Sequence, residues 1–384
     1  MRIIHTADWH LGRSLHGHNL IEEQAHVLLQ FINLAKESKI DAIIIAGDVF
    51  DRSQPPAEAV SLLNMVLTSL CQELKIPTIV IAGNHDNPER IGFAQQMLLS
   101  QQLYMVGPLQ GFWQPIRIDD QYGPVYFCPL PYADPAFIRY FTGNEQIHDH
   151  HAGLQAMVQH LTAALPASAR RVAIAHAFIS GGEESESERP LTAVGGAGQV
   201  PASIFVPFHY SALGHLHGPQ NVGKEQVRYA GSLLKYSFAE AEHHKGITML
   251  EIDVAGKILS LENIPLSPRR EVRCIEGFME EILKGPPAGE SRDDYVKVIL
   301  LDEGALLDPM GKLRQVYPNL LELQRPTLNS IPDNLGSERD FRNLSEVDLF
   351  NSFYQQVTGC HLSEHEGWVL ARLIDEFYIQ ERGA

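Results

Sequence analysis

Five short segments of this chain set acidic, amide or imidazole side chains immediately behind apolar runs or beside one another. They are TADWH (Asp8, His10), AGDVFD (Asp48, Asp51), AGNHD (Asn84, His85, Asp86), AHAF (His176) and GHLH (His215, His217). Three Asp/Asn oxygens and four imidazoles, with no cysteine among them, form a donor set that suits Mn, Fe or Zn better than a soft metal or an iron–sulfur cluster. Asp-x-His and His-x-His at a spacing of two fit extended loops, where alternate side chains point the same way. Seven donors are too many for one ion and about right for two. Two ions roughly 3.5–4 Å apart need a bridging carboxylate and can clamp the attacking and leaving oxygens of a phosphoester. In a chain with 18 histidines a single Asp-x-His arises easily by accident. The ordered series of five is a stronger signal.

The elements around these segments explain how they meet. Arg2 to Thr6, IDAIIIAGD, PTIVIAG, RRVAIAHAF and YSALGHLHG read as strands whose last residues carry the chemistry. IDAIIIAGD is a near-continuous apolar run of the kind buried on both faces. A helix over Glu22 to Glu37, with Ala25, Leu28, Leu29, Ile32 and Ala35 on one face, and a second over Ala57 to Glu73 separate the first strands. Alternating strands and helices predict an α/β fold, and ligand sites in such folds collect at the carboxyl ends of the strands. Asp48, on a central strand, is the natural bridging carboxylate.

From about Tyr104 the pattern turns to short strands with Gly and Pro turns. A helix around Leu154 to Leu165 is followed mainly by sheet, in which RYAGSLLKYS, GITMLEID and KILSLENIPL read as strands. PLSPRR (265 to 270) reads as a linker. Beyond it, REVRCIEG, a helix near Phe278 to Leu283, YVKVILLD, a helix near Leu306 to Val316 and NLLELQRP compose a small β-α-β-α-β unit. A polar stretch over Leu328 to Arg342 precedes two amphipathic helices. Val347, Phe350, Tyr354 and Val357 line the first, and Leu370, Leu373, Phe377 and Tyr378 the second.

The bulk properties narrow the class. The chain has 384 residues, 44% hydrophobic and 20% charged, enough for a large domain and a smaller one. It contains no apolar run of about 18 residues, so no membrane span is expected. The first residues read straight into a strand rather than a signal peptide, and the four cysteines (Cys71, Cys128, Cys274, Cys360) form no CxxC pair. A cytoplasmic protein with reduced thiols is expected. The net charge of −17 opposes a free-standing nucleic-acid binder unless bound cations or a basic partner reverse the local field. No GxxxxGK[ST] loop is present, so any use of ATP belongs to a partner.

The five segments, in this order, resemble those of the calcineurin-like metallophosphoesterases. The longer stretches HTADWHLG, IIIAGDVFDRSQPP, ALGHLHGPQ and YAGSLLKYSFAEA are similar to the SbcD-type nuclease subunits among them, and the resemblance covers essentially the whole chain. It implies a four-layer α/β/β/α sandwich over residues 1–266, a capping domain over 268–328 and a two-helix tail over 340–384. It implies that Asp8, His10, Asp48 and His217 hold one divalent metal, that Asp48, Asn84, His176 and His215 hold a second, and that manganese is the expected ion. His85 then matches the catalytic histidine, which stabilises transition-state charge or protonates the leaving oxygen. Asp86 would fix the turn or orient a ligand from behind. Where some relatives carry a second active-site histidine this chain has Asp51, so no such role is assigned.

The resemblance further implies a DNA nuclease subunit that removes nucleotides from duplex ends in the 3′ to 5′ sense and cuts single strands and hairpins, in recombination, repair and replication. It implies an SbcC-type ATPase partner held by the C-terminal helices, and a homodimer within a heterotetramer. A small-molecule phosphatase or cyclic-nucleotide phosphodiesterase is the alternative on the same scaffold. A non-enzymatic scaffold is a third reading, opposed by the complete donor set. His148, His150 and His151 are expected in a solvated loop; the acidic run GGEESESERPL resembles a loop of the family near the site, though an exposed mobile loop is an adequate account of it. His16 and His18 are possible DNA-backbone contacts, while His26, His160 and His209 read as ordinary surface or helix residues.

Overall fold

The computed structural model describes residues 1–107, 109, 113–188, 198–304, 306–326, 345–358 and 360–382. The chain divides into two compact units, Met1–Arg269 and Arg270–Ala384.

The first unit is built on two six-stranded sheets. Its strands are β1 (Arg2–Thr6), β2 (Ala42–Ala46), β3 (Thr78–Ile81), β4 (Leu103–Val106), β5 (Ile116–Asp120), β6 (Gly123–Leu130), β7 (Arg170–His176), β8 (Tyr210–Gly214), β9 (Gln220–Val222), β10 (Lys224–Tyr229), β11 (Gly246–Ile252) and β12 (Ile258–Pro265). One sheet runs β12-β11-β1-β2-β3-β4 and the other β9-β10-β8-β7-β6-β5. Strands β1 to β4 are mutually parallel, and so are β6, β7, β8 and β10. The parallel ladders align the strand ends that carry the five segments.

The period of two along each strand sorts its side chains between cores. On β7, Val172 and Ile174 pack between the sheets with Ile3, Ile44, Ile79, Phe127 and Leu250. Ala173 and Ala175 face the other way, toward Leu154, Met157, Val158 and Leu161 of a helix over His150–Ala163. Both faces are covered, which is why the strand reads as an unbroken apolar run. With helices Ile21–Glu37 and Ala57–Thr68 supplying the outer layer of the first sheet, the order of layers is α/β/β/α.

Two local expectations are corrected. The inward face of the helix Ile21–Glu37 carries Val27, Leu28, Phe31 and Ala35, with Leu29 51% exposed. Its phase is set by Gln24, whose side chain donates to the Trp9 and His10 carbonyls at 3.1 and 2.8 Å and accepts from Gly12 N at 3.0 Å. A count of apolar residues cannot register an inward-facing amide. His150 and His151 open a helix rather than sit in a loop, because Asp149 caps it by accepting from Ala152 N at 2.7 Å. His160 is an exposed helix residue as expected and stacks on Trp113 at 4.6 Å, while His209 Nδ1 accepts from Arg171 N at 3.1 Å.

In the second unit, parallel strands β13 (Val272–Gly277), β14 (Tyr295–Leu300) and β15 (Leu320–Gln324) alternate with short helices Met279–Ile282 and Pro309–Arg314. Val296, Val298, Leu300, Leu313, Tyr317 and Leu320 form their core. Helices Glu346–Thr358 and Glu364–Arg382 follow. The linker at 328–342 and the side chains of Val357, Phe377 and Tyr378 lie outside the described residues. No described helix is long and apolar enough to cross a membrane.

Candidate metal centre

Backbone pairing continues beyond the strand ends and fixes the first two loops together. Asp8 N donates to Gly47 O at 3.1 Å, His10 N to Asp48 O at 2.9 Å and Leu11 N to Val49 O at 2.9 Å. Asp86 ties in the third loop: its carboxylate accepts from Val49 N, Phe50 N and Gly83 N at 3.1, 2.9 and 2.9 Å. Asp8, His10, Asp48 and His215 have φ of +53°, +45°, +49° and +111°, in the left-handed half of backbone space that non-glycine residues seldom enter. Such conformations cost about 1–3 kcal/mol each and persist where the surroundings dictate them. Two glycines make the close approach possible. A Cβ at Gly83 would lie 2.2 Å from Asp48 Oδ1, and one at Gly214 would lie 2.0 Å from Ala46 O and 2.9 Å from His176 Nδ1.

All eight residues singled out from the sequence converge here. Asp8, His10 and His217 bring donor atoms within 4.8 Å of one another, and so do Asp8, Asp48 and His176. The two triads share Asp8. Asp48 lies between them, with Oδ2 3.7 Å from His10 Nε2 and 3.5 Å from His176 Nε2. Asn84 Oδ1 completes the second side, 2.9 Å from His176 Nε2 and 3.2 Å from His215 Nδ1. Asp8 also accepts from His215 N through both carboxylate oxygens, at 2.9 and 3.1 Å.

His85 and Asn84 are neighbours that diverge. His85 N donates to Asp48 Oδ1 at 2.8 Å, and its Nδ1 donates to the Asp51 carbonyl at 2.8 Å. A carbonyl only accepts, so Nδ1 carries the proton and Nε2 is turned inward, 3.9 Å from Asp48 Oδ2. His176 is oriented in the same way by Ala46 O, 2.9 Å from its Nδ1. His10, Asp51 and His85 form a further cluster with donor atoms within 4.8 Å.

The electrostatics fit divalent cations. Burial lowers His10 well below the usual histidine range, and burial together with the charge of His176 lowers His215 to about 3. Burial, with the negative charge of Asp48, raises Asp8 well above the usual carboxylate range. Burial works against the Asp48 carboxylate, yet His176, His10 and His85 around it hold it well below its ordinary value. Two ring nitrogens, His10 Nδ1 and His215 Nε2, are buried without a hydrogen-bond partner among the described residues. His10 Nε2 and His217 Nε2 face each other at 3.0 Å. Crowded carboxylates opposite inward imidazole nitrogens are a donor set that cations would satisfy.

Sequence reasoning missed the groups behind His217. Its Nδ1 lies 2.6 Å from Ser187 Oγ and 3.2 Å from Glu240 Oε1, and its N donates to Glu188 Oε1 at 2.7 Å. Glu240 is fully buried and pairs with Lys245 at 2.5 Å. Glu183, Glu184 and Glu186 of the acidic run are exposed as expected, but Ser187 and Glu188 seat the run against His217; positions 189–191 lie outside the described residues. Residues 230–237, expected as strand, are irregular and carry Ser232, which accepts from Lys245 at 2.8 Å, and Tyr236, which donates to Trp9 O. The only signal available was the stretch FAEAEHHKG, whose acid and lysine are five residues apart with no periodicity to mark them as buried.

A fold of this layering with a histidine–aspartate centre on its strand ends defines a class, and comparison with known proteins agrees. The calcineurin-like phosphoesterase family model matches residues 1–219, and that of the type 5 capsule protein repressor C-terminal domain matches residues 268–358. The chain is 34% identical over 383 residues to the SbcD component of the SbcCD nuclease of Staphylococcus epidermidis, covering 100% of both chains. Among solved structures, TT1561 of Thermus thermophilus aligns at 14% identity and a TM-score of 0.39, covering 68% of this chain and 98% of its own. GAP50, the anchor in the inner membrane complex of Plasmodium, aligns at 11% and 0.34, covering 70% and 89%. The chain belongs to the calcineurin-like phosphoesterases and, within them, to the SbcD family of nuclease subunits.

Proposed function

We propose that this chain is the nuclease subunit of a two-component DNA-processing complex and hydrolyses phosphodiester bonds with two divalent metal ions, manganese in the first place. The observation that carries the reading is the pair of donor triads sharing Asp8, with Asp48 between them. Asp8, His10, Asp48 and His217 would hold one ion, and Asp48, Asn84, His176 and His215 the other. When bound, such ions supply positive charge at the phosphoryl oxygens and lower the pKa of attacking water.

The chain's own contribution is placement. Asp51 O and Asp48 Oδ1 fix His85 from two sides, so its Nε2 is held toward the reacting phosphate. As an imidazolium, that nitrogen donates to the developing oxyanion or protonates the leaving oxygen. Burial of the centre excludes bulk water and strengthens each of these interactions.

The relative's name, a nuclease that is one subunit of SbcCD, supports a nucleic-acid substrate and a second subunit as partner. On this reading the chain acts on duplex DNA ends as a 3′ to 5′ exonuclease and on single strands and hairpins as an endonuclease, in recombination, repair and replication. Residues 1–266 form the nuclease domain, 268–328 cap it, and 340–384 bind an SbcC-type ATPase within a heterotetramer built on a dimer of this chain. The tail helices support a docking role: Phe350, Phe353, Trp368 and Leu373 are 42%, 59%, 58% and 58% exposed. A basic ATPase surface would also offset the charge of −17.

The test is hydrolysis of end-labelled blunt duplex DNA and of a generic phosphatase substrate, with Mn, with Mg and with chelator. Mn-dependent loss of terminal nucleotides, stimulated by the ATPase and ATP, is the expected result. Turnover of the small substrate alone, indifferent to the partner, would overturn the nuclease reading.

A further inference from the structure

A cavity of about 270 Å³ opens beside the metal centre and shares Asn84 with it. Asn84 is the residue whose Oδ1 lies 2.9 Å from His176 Nε2, so the cavity begins where the centre ends. Its walls include the apolar and aromatic Pro88, Leu109, Tyr132 and Phe137, together with the buried Asp86, whose carboxylate is taken up by the backbone of Val49, Phe50 and Gly83. Glu89 and Asp134 stand at the exposed rim. Parallel strand ends frame this region, since Gly83 and Gly107 follow β3 and β4 and Tyr132 follows β6.

Three features define what fits. The volume lies just below the usual range for ligand pockets, roughly 300–1,000 Å³, and suits one planar ring system rather than a length of nucleic-acid chain. The rim carboxylates repel phosphate but accept hydrogen bonds from amino groups. The Tyr132 ring is fixed: its N donates to Ala82 O at 2.9 Å and its ring stacks on His150 with centroids 5.7 Å apart. A held aromatic face beside a phosphate-binding centre is the arrangement by which proteins stack a base without reading its sequence.

We propose that the cavity bounded by Asn84, Tyr132 and Phe137 receives the nucleobase of the nucleotide whose phosphate is being cleaved. The inference rests on the phosphodiesterase reading above. The phosphate stays at the histidine–aspartate centre while the base leaves its neighbours and enters the cavity. Unstacking is cheapest at a chain end, so the pocket favours terminal nucleotides over positions inside a duplex. Bases that bear an exocyclic amino group gain a partner from Glu89 or Asp134 that thymine lacks.

The experiment compares two probes that differ only by the base, 2′-deoxyadenosine 5′-monophosphate and 2-deoxyribose 5-phosphate. Both are titrated calorimetrically into the Mn-loaded full chain, wild type, Phe137→Ala and Tyr132→Leu. The nucleotide should bind the wild type roughly tenfold more tightly than the sugar phosphate. In either variant that ratio should fall toward one while the sugar phosphate's own affinity is unchanged. Phe137 is 36% exposed, so its truncation is the variant least exposed to folding failure. Equal affinity in the wild type, or a ratio that survives both substitutions, overturns the base pocket. Hydrolysis of bis(p-nitrophenyl) phosphate by the same Mn-loaded preparation separates the two readings. If it proceeds while the ratio is one, only the pocket fails; if it does not, the phosphodiesterase reading fails as well.

Discussion

The Nε2 atoms of His10 and His217 lie 3.0 Å apart, and the two rings arrive from different sheets. His10 follows β1 of one sheet and His217 follows β8 of the other. Because Glu240 and Ser187 occupy the Nδ1 side of His217, its Nε2 presents a lone pair toward His10. Two lone pairs at that distance repel unless a proton or a cation lies between them.

Glu240 should act on metal affinity through His217. Glu240→Gln keeps the shape but removes the charge that orients the ring and leaves Lys245 without its counter-ion. Loss of such outer partners typically weakens metal binding by about 10–100-fold. Competition with a fluorescent chelator measures this directly. Wild-type affinity in a folded variant would show that Glu240 holds the fold and not the site.

His85→Ala should separate binding from turnover. The ring sits beside Asp48, 3.9 Å from its Oδ2, and packs edge-on against His10 with centroids 4.6 Å apart, while the side-chain oxygens of Asp48 and Asn84 are fixed by other bonds. Metal content should stay at the wild-type level while kcat falls by about 10²–10⁴-fold. A variant that cuts DNA at the normal rate would remove His85 from the mechanism.

The inter-sheet core should be sensitive to acid through His5. Its Nε2 donates to Leu213 O at 3.1 Å, so Nδ1 accepts from the Tyr210 hydroxyl at 2.9 Å. Burial lowers its pKa from 6.5 to about 3. Between those values the unfolded chain holds the extra proton, so stability rises with pH across the window and is lost as pH falls from 6.5 toward 3. One proton contributes a slope of up to about 1.4 kcal/mol per pH unit. Urea unfolding of His5→Gln between pH 5 and 7, in chelator, should show a shallower dependence than the wild type. An unchanged slope would assign the acid sensitivity to other groups.

The tail should fail in a way that spares the centre. Phe350 is 42% exposed and its ring is 6.3 Å from that of Phe353. Phe350→Asp places a charge in this aromatic face, which should abolish co-purification with the ATPase and leave Mn content and hydrolysis of a small phosphodiester intact. Retained complex formation would move the docking surface elsewhere.

The convergence of the eight residues was legible in the sequence because they lie at or shortly after the ends of apolar strands, and parallel pairing brings such ends together. IDAIIIAGD and RRVAIAHAF announce both the post and the ligand it carries. The α/β class was legible from the alternation of strands and helices, while the four layers came from the family resemblance. The residues that support the donors were not legible. Gln24, Ser187 and Glu240 are polar groups buried by tertiary contacts, and no periodicity marks a polar residue as buried. The helix boundary at His150 escapes a sequence reading because Asp149 is a cap only once the following residues are helical. The left-handed backbone at Asp8, His10, Asp48 and His215 leaves no trace in residue type, since the strain is imposed by the surrounding loops.

The most direct test of the account is the number of ions the chain holds. Wild-type protein and Asp48→Ala would be dialysed against excess Mn, freed of unbound metal and analysed for metal per chain. Two Mn per wild-type chain, falling to one or fewer in Asp48→Ala, is the result this account predicts. One ion in the wild type, or two retained after loss of Asp48, would contradict a binuclear centre with Asp48 between its ions.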